Sequence, residues 1–429
     1  MKGIISLIHG GKTFVDQIHS ACQDAGIELY VISSNTVDAD LLQNMSDKAT
    51  VLEVIEGTDL NFESVLSFVE KLQQSNKQAL ACISVWENYR PLMARLNQAL
   101  GAQDMCPEQV NLLRDKHLLR KVLYDAGLSQ VNSRILTQEV FIQIQKNREL
   151  AFVKPRQGIA SYGAFKLRPS TQWQQITEIA EQIQSDAVFS SSFADEVEFV
   201  AEDYISGVEF CFEIIHHDGQ CNLIAIHEKL EVGEQNLTTL ENVSASPPIS
   251  LNRKQIEQAN LWVSSIFERL ELGSGCYHLE AKFDNNQWEV IEINPRIGGS
   301  YINESVAHVA GYSLLELWIR SLLRAGCSEY QAFLKVLSPH SEQFFERQQG
   351  SYFRVFFAEP NRTISRLNFK LGTPPIHKKL LMKEGQTTPN ASRELFMAQA
   401  LWSWSVSQDS VQTRAQISES LTALEVEYE

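Results

Sequence analysis

The sequence predicts a mixed α/β fold of about three domains, and three observations carry that reading. Short apolar runs alternate with helix-period segments through the first hundred residues. Two alternating runs face each other across Asn285-Asn286-Gln287. The chain's 429 residues exceed what one hydrophobic core organises, at roughly 100–200 residues per domain.

Lys2–Ile8, Glu28–Ser33, Val51–Ile55 and Ala79–Val85 read as strands, and Phe14–Ala25, Phe62–Gln74 and Pro91–Leu100 as helices. Such alternation predicts a parallel layer over residues 1–106. His9-Gly10-Gly11-Lys12 follows the first strand. It reads as a tight turn able to present N–H groups to an anion, without the spacing of a P-loop. Asn111–Ala126 reads as one amphipathic connecting helix, stopped by Gly127.

Beyond it come a helix (Gln138–Arg148), a strand (Leu150–Lys154), a Gly-containing loop, a strand (Ala164–Leu167) and a helix (Trp173–Ile183). Glu198–Ile205, Val208–His216 and Cys221–Lys229 read as strands, Asn252–Leu270 and Ser313–Leu323 as helices. The tail carries strand-like runs such as Tyr352–Ala358 and forms a small α+β subdomain over 331–429.

The formal charge of −16 argues against nonspecific binding to nucleic acid or anionic membranes. It leaves room for a local basic pocket. The apolar run Ile4–Ile8 is too short for a signal peptide or a membrane span. Seven scattered cysteines without a CxxC pair point to reduced thiols in a cytoplasmic protein, with no zinc site.

His278 to Gly299, HLEAKFDNNQWEVIEINPRIGG, is the most informative stretch. With a three-residue loop, Asp284 faces Trp288 and Glu280 faces Glu292, their Cβ atoms about 5 Å apart. A two-residue loop makes the two carboxylates diagonal neighbours instead. Asn294 and Arg296 follow at period two on the same face. Two opposed carboxylates and an amide oxygen suit Mg²⁺. The same spacing also fits two solvated glutamates with an incidental asparagine.

That string resembles the metal-binding hairpin of the ATP-grasp superfamily. The resemblance implies a two-lobed ATP-grasp unit over 107–330, with a small lid lobe at about 131–206 and a larger lobe at about 207–330. It makes Glu280, Glu292 and Asn294 the ligands of Mg²⁺, with Mn²⁺ as an alternative. Arg296 would hold the acyl-phosphate or the attacked carboxylate. AFVKPRQGIASYGAFKL is similar to the family's strand, Gly-rich loop and strand. Lys154 would then contact ATP phosphates, and the loop with Gly158, Ser161 and Gly163 would fold over them. VAEDYISGVEFCFEII resembles the adenine hinge, which implies that backbone groups near Glu202 and Tyr204 read adenine and that Glu209 binds the ribose hydroxyls. Lys116 resembles the lysine that starts the ATP unit.

NPRIGGSYINESVAHVAGYSLLELWIRSLL resembles the branch with L-amino-acid ligases, dapdiamide-type ligases and carnosine synthase. The resemblance implies an ADP-forming carboxylate–amine ligase acting on an amino acid or related small carboxylate and an amine, and leaves a homodimer open. Gly298, Gly299 and Ser300 would shape the substrate pocket, and Glu87, after a parallel strand, would bind a substrate ammonium. Lys229 would join Arg296 as a catalytic residue. One departure stands out: those ligases often carry a histidine before a Pro-Ser pair, and none stands near Ser246-Pro247-Pro248. This weighs against dipeptide synthesis in particular. A carboxylase or purine-type ligase, a small-molecule kinase and a non-catalytic nucleotide-binding protein are the competing readings.

Overall fold

The computed structural model describes residues 1–10, 14–36, 38–186, 189–194, 196–323, 328–370 and 372–429. Its N-terminal runs form β1 (Lys2–Ile8), β2 (Glu28–Ser33), β3 (Val51–Val54) and β4 (Gln78–Ile83), a parallel sheet in the order β3-β2-β1-β4. Ile4 and Ile5 point to opposite faces and both are buried, so packed elements cover both sides of the sheet. The strand order reverses beside β1, and ligands favour the carboxyl ends of strands at such a point. His9 and the Trp86-Glu87 pair stand there. Gly10 adopts φ +54°, and its N–H is spent on Ser34 Oγ at 2.8 Å. Gly11 and Lys12 lie outside the described residues.

The expected single helix Asn111–Ala126 is two helices, Pro107–Arg114 and Lys116–Asp125. Asp115 breaks it. Its backbone is extended, and its carboxylate caps the second helix by accepting from Leu118 N at 3.0 Å. The same carboxylate takes Arg156 Nε at 2.9 Å and Nη2 at 2.6 Å. The apolar period runs on through the break, so periodicity alone could not reveal it.

The next four strands, β5 (Ser133–Ile135), β6 (Ala151–Pro155), β7 (Phe165–Lys166) and β8 (Phe199–Asp203), form a small sheet in the order β5-β8-β6-β7. Ala151, Val153, Phe199 and Ala201 join Ile176, Ile179 and Ile183 in its core. Strand alternation then sends Phe152, Lys154 and Glu202 to the opposite face.

The larger sheet holds β9 (Val208–His217), β10 (Gln220–Gln235), β11 (Thr238–Ser246), β12 (Gly275–Asp284), β13 (Gln287–Asn294) and β14 (Gln349–Phe357). After β15 (Ile364–Phe369), two further strands join it: β16 (His377–Leu380) and β17 (Phe396–Ser405). Its order is β13-β12-β9-β10-β11-β14-β17-β16. Strand β11 links the tail to the rest of the sheet through β14. Nothing in TTLENVSAS announced a strand; its neighbours on both sides supply the pairing.

The hairpin loop holds two residues, not three. Asp284 pairs with Gln287, across Asn285 and Asn286 at φ +50° and +61°. Both central residues are left-handed, as a tight hairpin of matching twist requires. A bulge then restores the register: Ala281 pairs with Val290 and Glu280 with Glu292, so Ile291 is the extra residue. The carboxylates end up opposed by a different route from the one expected. Among the described residues, no helix is long and apolar enough to cross a membrane.

Asp115→Ala should lower unfolding stability by about 1 kcal/mol, the usual worth of an N-cap. Burial pushes the Asp115 carboxyl up, but Arg156 and the Leu118 N–H outweigh this and hold it below its ordinary value. Its contribution is therefore present above about pH 4 and is lost as pH falls through the lower folded value. Urea melts at pH 7 and pH 3 should show a wild-type advantage that shrinks in acid. An equal advantage at both pH values contradicts the cap.

Candidate active site

A cleft of about 610 Å³ opens between the N-terminal layer, the small sheet and the large sheet. Every candidate residue named from sequence lines it except Gly163 and Glu87. Lys116, Lys154, Gly158, Ser161, Glu202, Tyr204, Glu209, Lys229, Glu280, Glu292, Asn294, Arg296, Gly298, Gly299 and Ser300 are thus brought together. Gly163 faces the core of the small lobe instead. It adopts φ +64°, and an added Cβ would sit 2.8 Å from Ile179 Cγ2. In the same loop Ala160 and Ser161 adopt left-handed φ values of +58° and +49°.

The hairpin carboxylates are held by different cations. Glu280 accepts from Lys229 Nζ at 2.9 Å and lies 3.2 Å from His278 Nε2. Glu292 accepts from Asn294 Nδ2 at 2.8 Å and lies 3.5 Å from Lys116 Nζ. That leaves the Asn294 amide oxygen without a hydrogen-bond donor among the described residues. Lys229 also meets Glu209 at 2.7 Å and bonds Glu241. One oxygen each from Glu209, Glu241 and Glu280 lies within 4.8 Å of the others. An all-oxygen donor set of this kind fits a hard divalent cation. Burial pushes the Glu241 carboxyl up to about 7 despite Lys229. Burial also lowers Lys229's affinity for its proton, but the surrounding acids more than reverse this and raise its pKa well above the ordinary value.

On the small sheet, Lys154 Nζ pairs with Glu202 at 2.8 Å and donates to Ile291 O at 3.3 Å. The bulge supplies that carbonyl. Arg120 joins the same group, contacting both Glu202 oxygens at 3.3 Å, Glu289 at 3.0 Å and Ile291 O at 3.2 Å. Burial drives the Lys154 pKa down despite Glu202. For Glu202 burial acts upward, but Lys154 and Arg120 win and hold it low. The Tyr204 N–H is committed to Leu150 O at 3.0 Å, so that donor is closed to a ligand. The next residue, Ile205, lines the cleft and donates to no backbone acceptor among the described residues.

Glu87 lies behind Arg296, not in the cleft. Its buried carboxylate accepts from Arg296 Nε and sits 3.4 Å from Arg114 Nε. This is the geometry of a group that positions the guanidinium. Burial acts to raise the Glu87 pKa, but Arg296 and Arg114 pull it below its ordinary value. Arg90 supports the same turn by donating to Pro295 O at 2.7 Å while bonding Asp104. Gly298 serves a second need: a Cβ there would lie 2.7 Å from His278 Nδ1. His278 bridges Glu213 (2.8 Å) and Glu280 (3.2 Å).

Sequence reasoning missed Glu241, His278, Ile205, Glu394 and the apolar wall of Phe14, Val85, Trp86 and Phe189, all lining the cleft. His278 began the informative string and could have been found from its period-two spacing to Glu280. Ile205 directly follows Tyr204 within the segment VAEDYISGVEFCFEII and could have been found there, whereas Glu241, Glu394 and the wall residues carried no signal of their own.

Residues 150–304 match the family model described as the ATP-grasp domain. A search of curated proteins found no match. The fold is shared with solved structures across the whole chain. An L-amino acid ligase from Bacillus licheniformis is 16% identical at a TM-score of 0.75, covering 100% of this chain and 99% of that one. A phosphoribosylglycinamide synthetase from Anaerococcus prevotii is 10% identical at 0.63, covering 100% of both chains. The biotin carboxylase domain of a Hydrogenobacter thermophilus 2-oxoglutarate carboxylase, solved with MgADP and bicarbonate, is 16% identical at 0.68, covering 99% of this chain and 90% of that one.

Burial opposes protonation of His278, but Glu213 raises its pKa well above the ordinary value, while Glu213 itself is held at about 2. The charged histidine's stabilising contribution is full below about pH 6.5 and is lost as pH rises through the higher folded value. Glu213→Gln should return the ring toward its ordinary pKa and cost about 1.5–3 kcal/mol. Nitrogen-15 histidine spectra at pH 8 should show a protonated His278 in wild type and a neutral one in Glu213→Gln. A neutral ring in wild type contradicts the pairing.

Proposed function

We propose that this chain, whose residues 150–304 form an ATP-grasp domain, is a Mg-ATP-dependent carboxylate–amine ligase working through an acyl-phosphate. The observation that carries this reading is Arg296. It is held by Glu87 within the turn that leaves the Glu292-Asn294 strand. Its Nη2 makes no hydrogen bond among the described residues, and the side chain lines the cleft. A guanidinium there can grip a carboxylate next to the phosphate-binding face.

Glu280, Glu292 and Asn294 would hold Mg²⁺, which, when bound, neutralises charge on the terminal phosphates. Lys154, Lys116 and the loop through Gly158 and Ser161 would contact those phosphates. Glu202 and the Ile205 N–H would meet adenine, and Glu209 ribose. A carboxylate oxygen attacks the γ-phosphorus and ADP leaves. An amine nitrogen then attacks the acyl carbon, phosphate leaves with its bonding pair and the nitrogen loses a proton. The protein supplies position and fixed charge to both steps. Phe14, Val85, Trp86 and Phe189 give the acid an apolar wall, with Trp86 and Phe189 stacked at 5.9 Å between centroids. That wall favours an organic acid over bicarbonate.

Trapping with hydroxylamine tests the reading. With Mg-ATP and a panel of amino and related acids, the wild type should form a hydroxamate and ADP together, only when the acid is present. Glu292→Ala should cut the rate by about 10²-fold or more and Arg296→Ala comparably, since each removes a fixed charge at the transferring group. ADP release independent of any acid, or full activity in Glu292→Ala, contradicts it.

A further inference from the structure

The C-terminal strands do more than extend the sheet. The segment before β17 crosses to the small lobe and fastens there. Gly163 N donates to Ser392 O at 2.8 Å, Ser392 N to Gln182 Oε1 at 3.0 Å, and Arg393 Nε to Asp186 Oδ2 at 2.9 Å. Ala391 is buried in the small lobe's core. So anchored, the strap delivers Glu394 into the cleft, with its N–H 3.4 Å from Ala160 O.

Glu394 is 8% exposed and lines the cavity, yet its carboxyl makes no ion pair among the described residues. Lys229, whose charge acts on it, is already shared by three other carboxylates. Burial, with Glu241 and Glu280 close by, raises the Glu394 carboxyl's pKa well above its ordinary value, and a positive group brought alongside would restore the charge. Phe353, Phe357, Phe396 and Ile302 line the same cavity. Phe357 and Phe396 are cross-strand partners with ring centroids 5.3 Å apart. A carboxyl and aromatic rings lining one cavity suit an ammonium attached to an apolar body.

The wall is separate in origin from that of the acid. Arg296 is tied to the N-terminal layer through Glu87, and Glu394 enters on the C-terminal strap. A ligase that joins two organic molecules needs two such compartments.

We propose that Glu394 is the recognition residue for a cationic amine, and that Phe353, Phe357 and Phe396 select an amine with an apolar or aromatic body. The inference rests on the ligase reading above.

The test separates the two claims by using two nucleophiles. Hydroxylamine is small and mostly uncharged near neutral pH, so it reports carboxylate activation. L-Phenylalaninamide carries an ammonium and an aromatic ring. With the acid that gives most hydroxamate, kcat/KM is measured for both nucleophiles. Glu394→Gln should lower the ratio for phenylalaninamide over hydroxylamine by about tenfold or more, the worth of one charge-assisted contact. Phe396→Ala, which leaves the acid in place, should lower phenylalaninamide against glycinamide. If Glu394→Gln leaves the first ratio unchanged, whether both rates fall together or neither does, the assignment is overturned. An unchanged preference in Phe396→Ala overturns the aromatic selection. A wild type that forms no hydroxamate with any acid shows a different failure, that of the ligase reading, and the inference falls with it.

Discussion

Glu280 and Glu292 face each other across neighbouring strands, and most of the cleft exists to make that pairing tolerable. Two directly opposed carboxylates repel, and burial sharpens the repulsion. The protein answers with a different set of partners for each. Lys229 and His278 hold Glu280, and Lys116 and Asn294 hold Glu292. Each cation then needs its own surroundings: Lys229 gathers Glu209 and Glu241, and His278 leans on Glu213. The small residue at 298 follows, because the His278 ring fills the space a side chain would take. A pair that must be held apart by removable or movable cations is also a pair that can accept a metal ion.

The bulge at Ile291 is the backbone device behind this arrangement. It turns a two-residue hairpin, which fixes one register near the loop, into the register that opposes the carboxylates. It also frees the Ile291 carbonyl, which takes Lys154 from the small lobe and Arg120 from the connecting helix. One irregular residue therefore ties three elements at the point where phosphates would lie. The lobes are tied again on the far side by the strap at Ser392 and Arg393.

Much of this was legible in the sequence, but unevenly. Period-two spacing placed Glu280, Glu292 and Asn294 on one face, because strand alternation is a local property. Lys154 and Glu202 came from the resemblance of their segments to the family's strands, and strand alternation explains why both face away from the small lobe's core. The opposition of the carboxylates was reached through a loop length that proved wrong, and a bulge made up the difference. Asp115 hid a helix break inside an unbroken apolar period. Glu241 and Glu394 were beyond reach: one lies on a polar strand paired only by its neighbours, the other on a strap that approaches from more than 150 residues away along the chain. Glu87 was found, but its pairing with Arg296 and Arg114 was not, since nothing local says whether a carboxylate faces a ligand or a neighbouring arginine.

The proposed reaction activates a carboxylate by phosphorylation. Its most direct test is to follow oxygen. With an acid that supports turnover, labelled in its carboxyl group with oxygen-18, and with Mg-ATP and an amine, one labelled oxygen should appear in the phosphate released, alongside ADP. Phosphate free of label, or label recovered in AMP, would contradict an acyl-phosphate at this site.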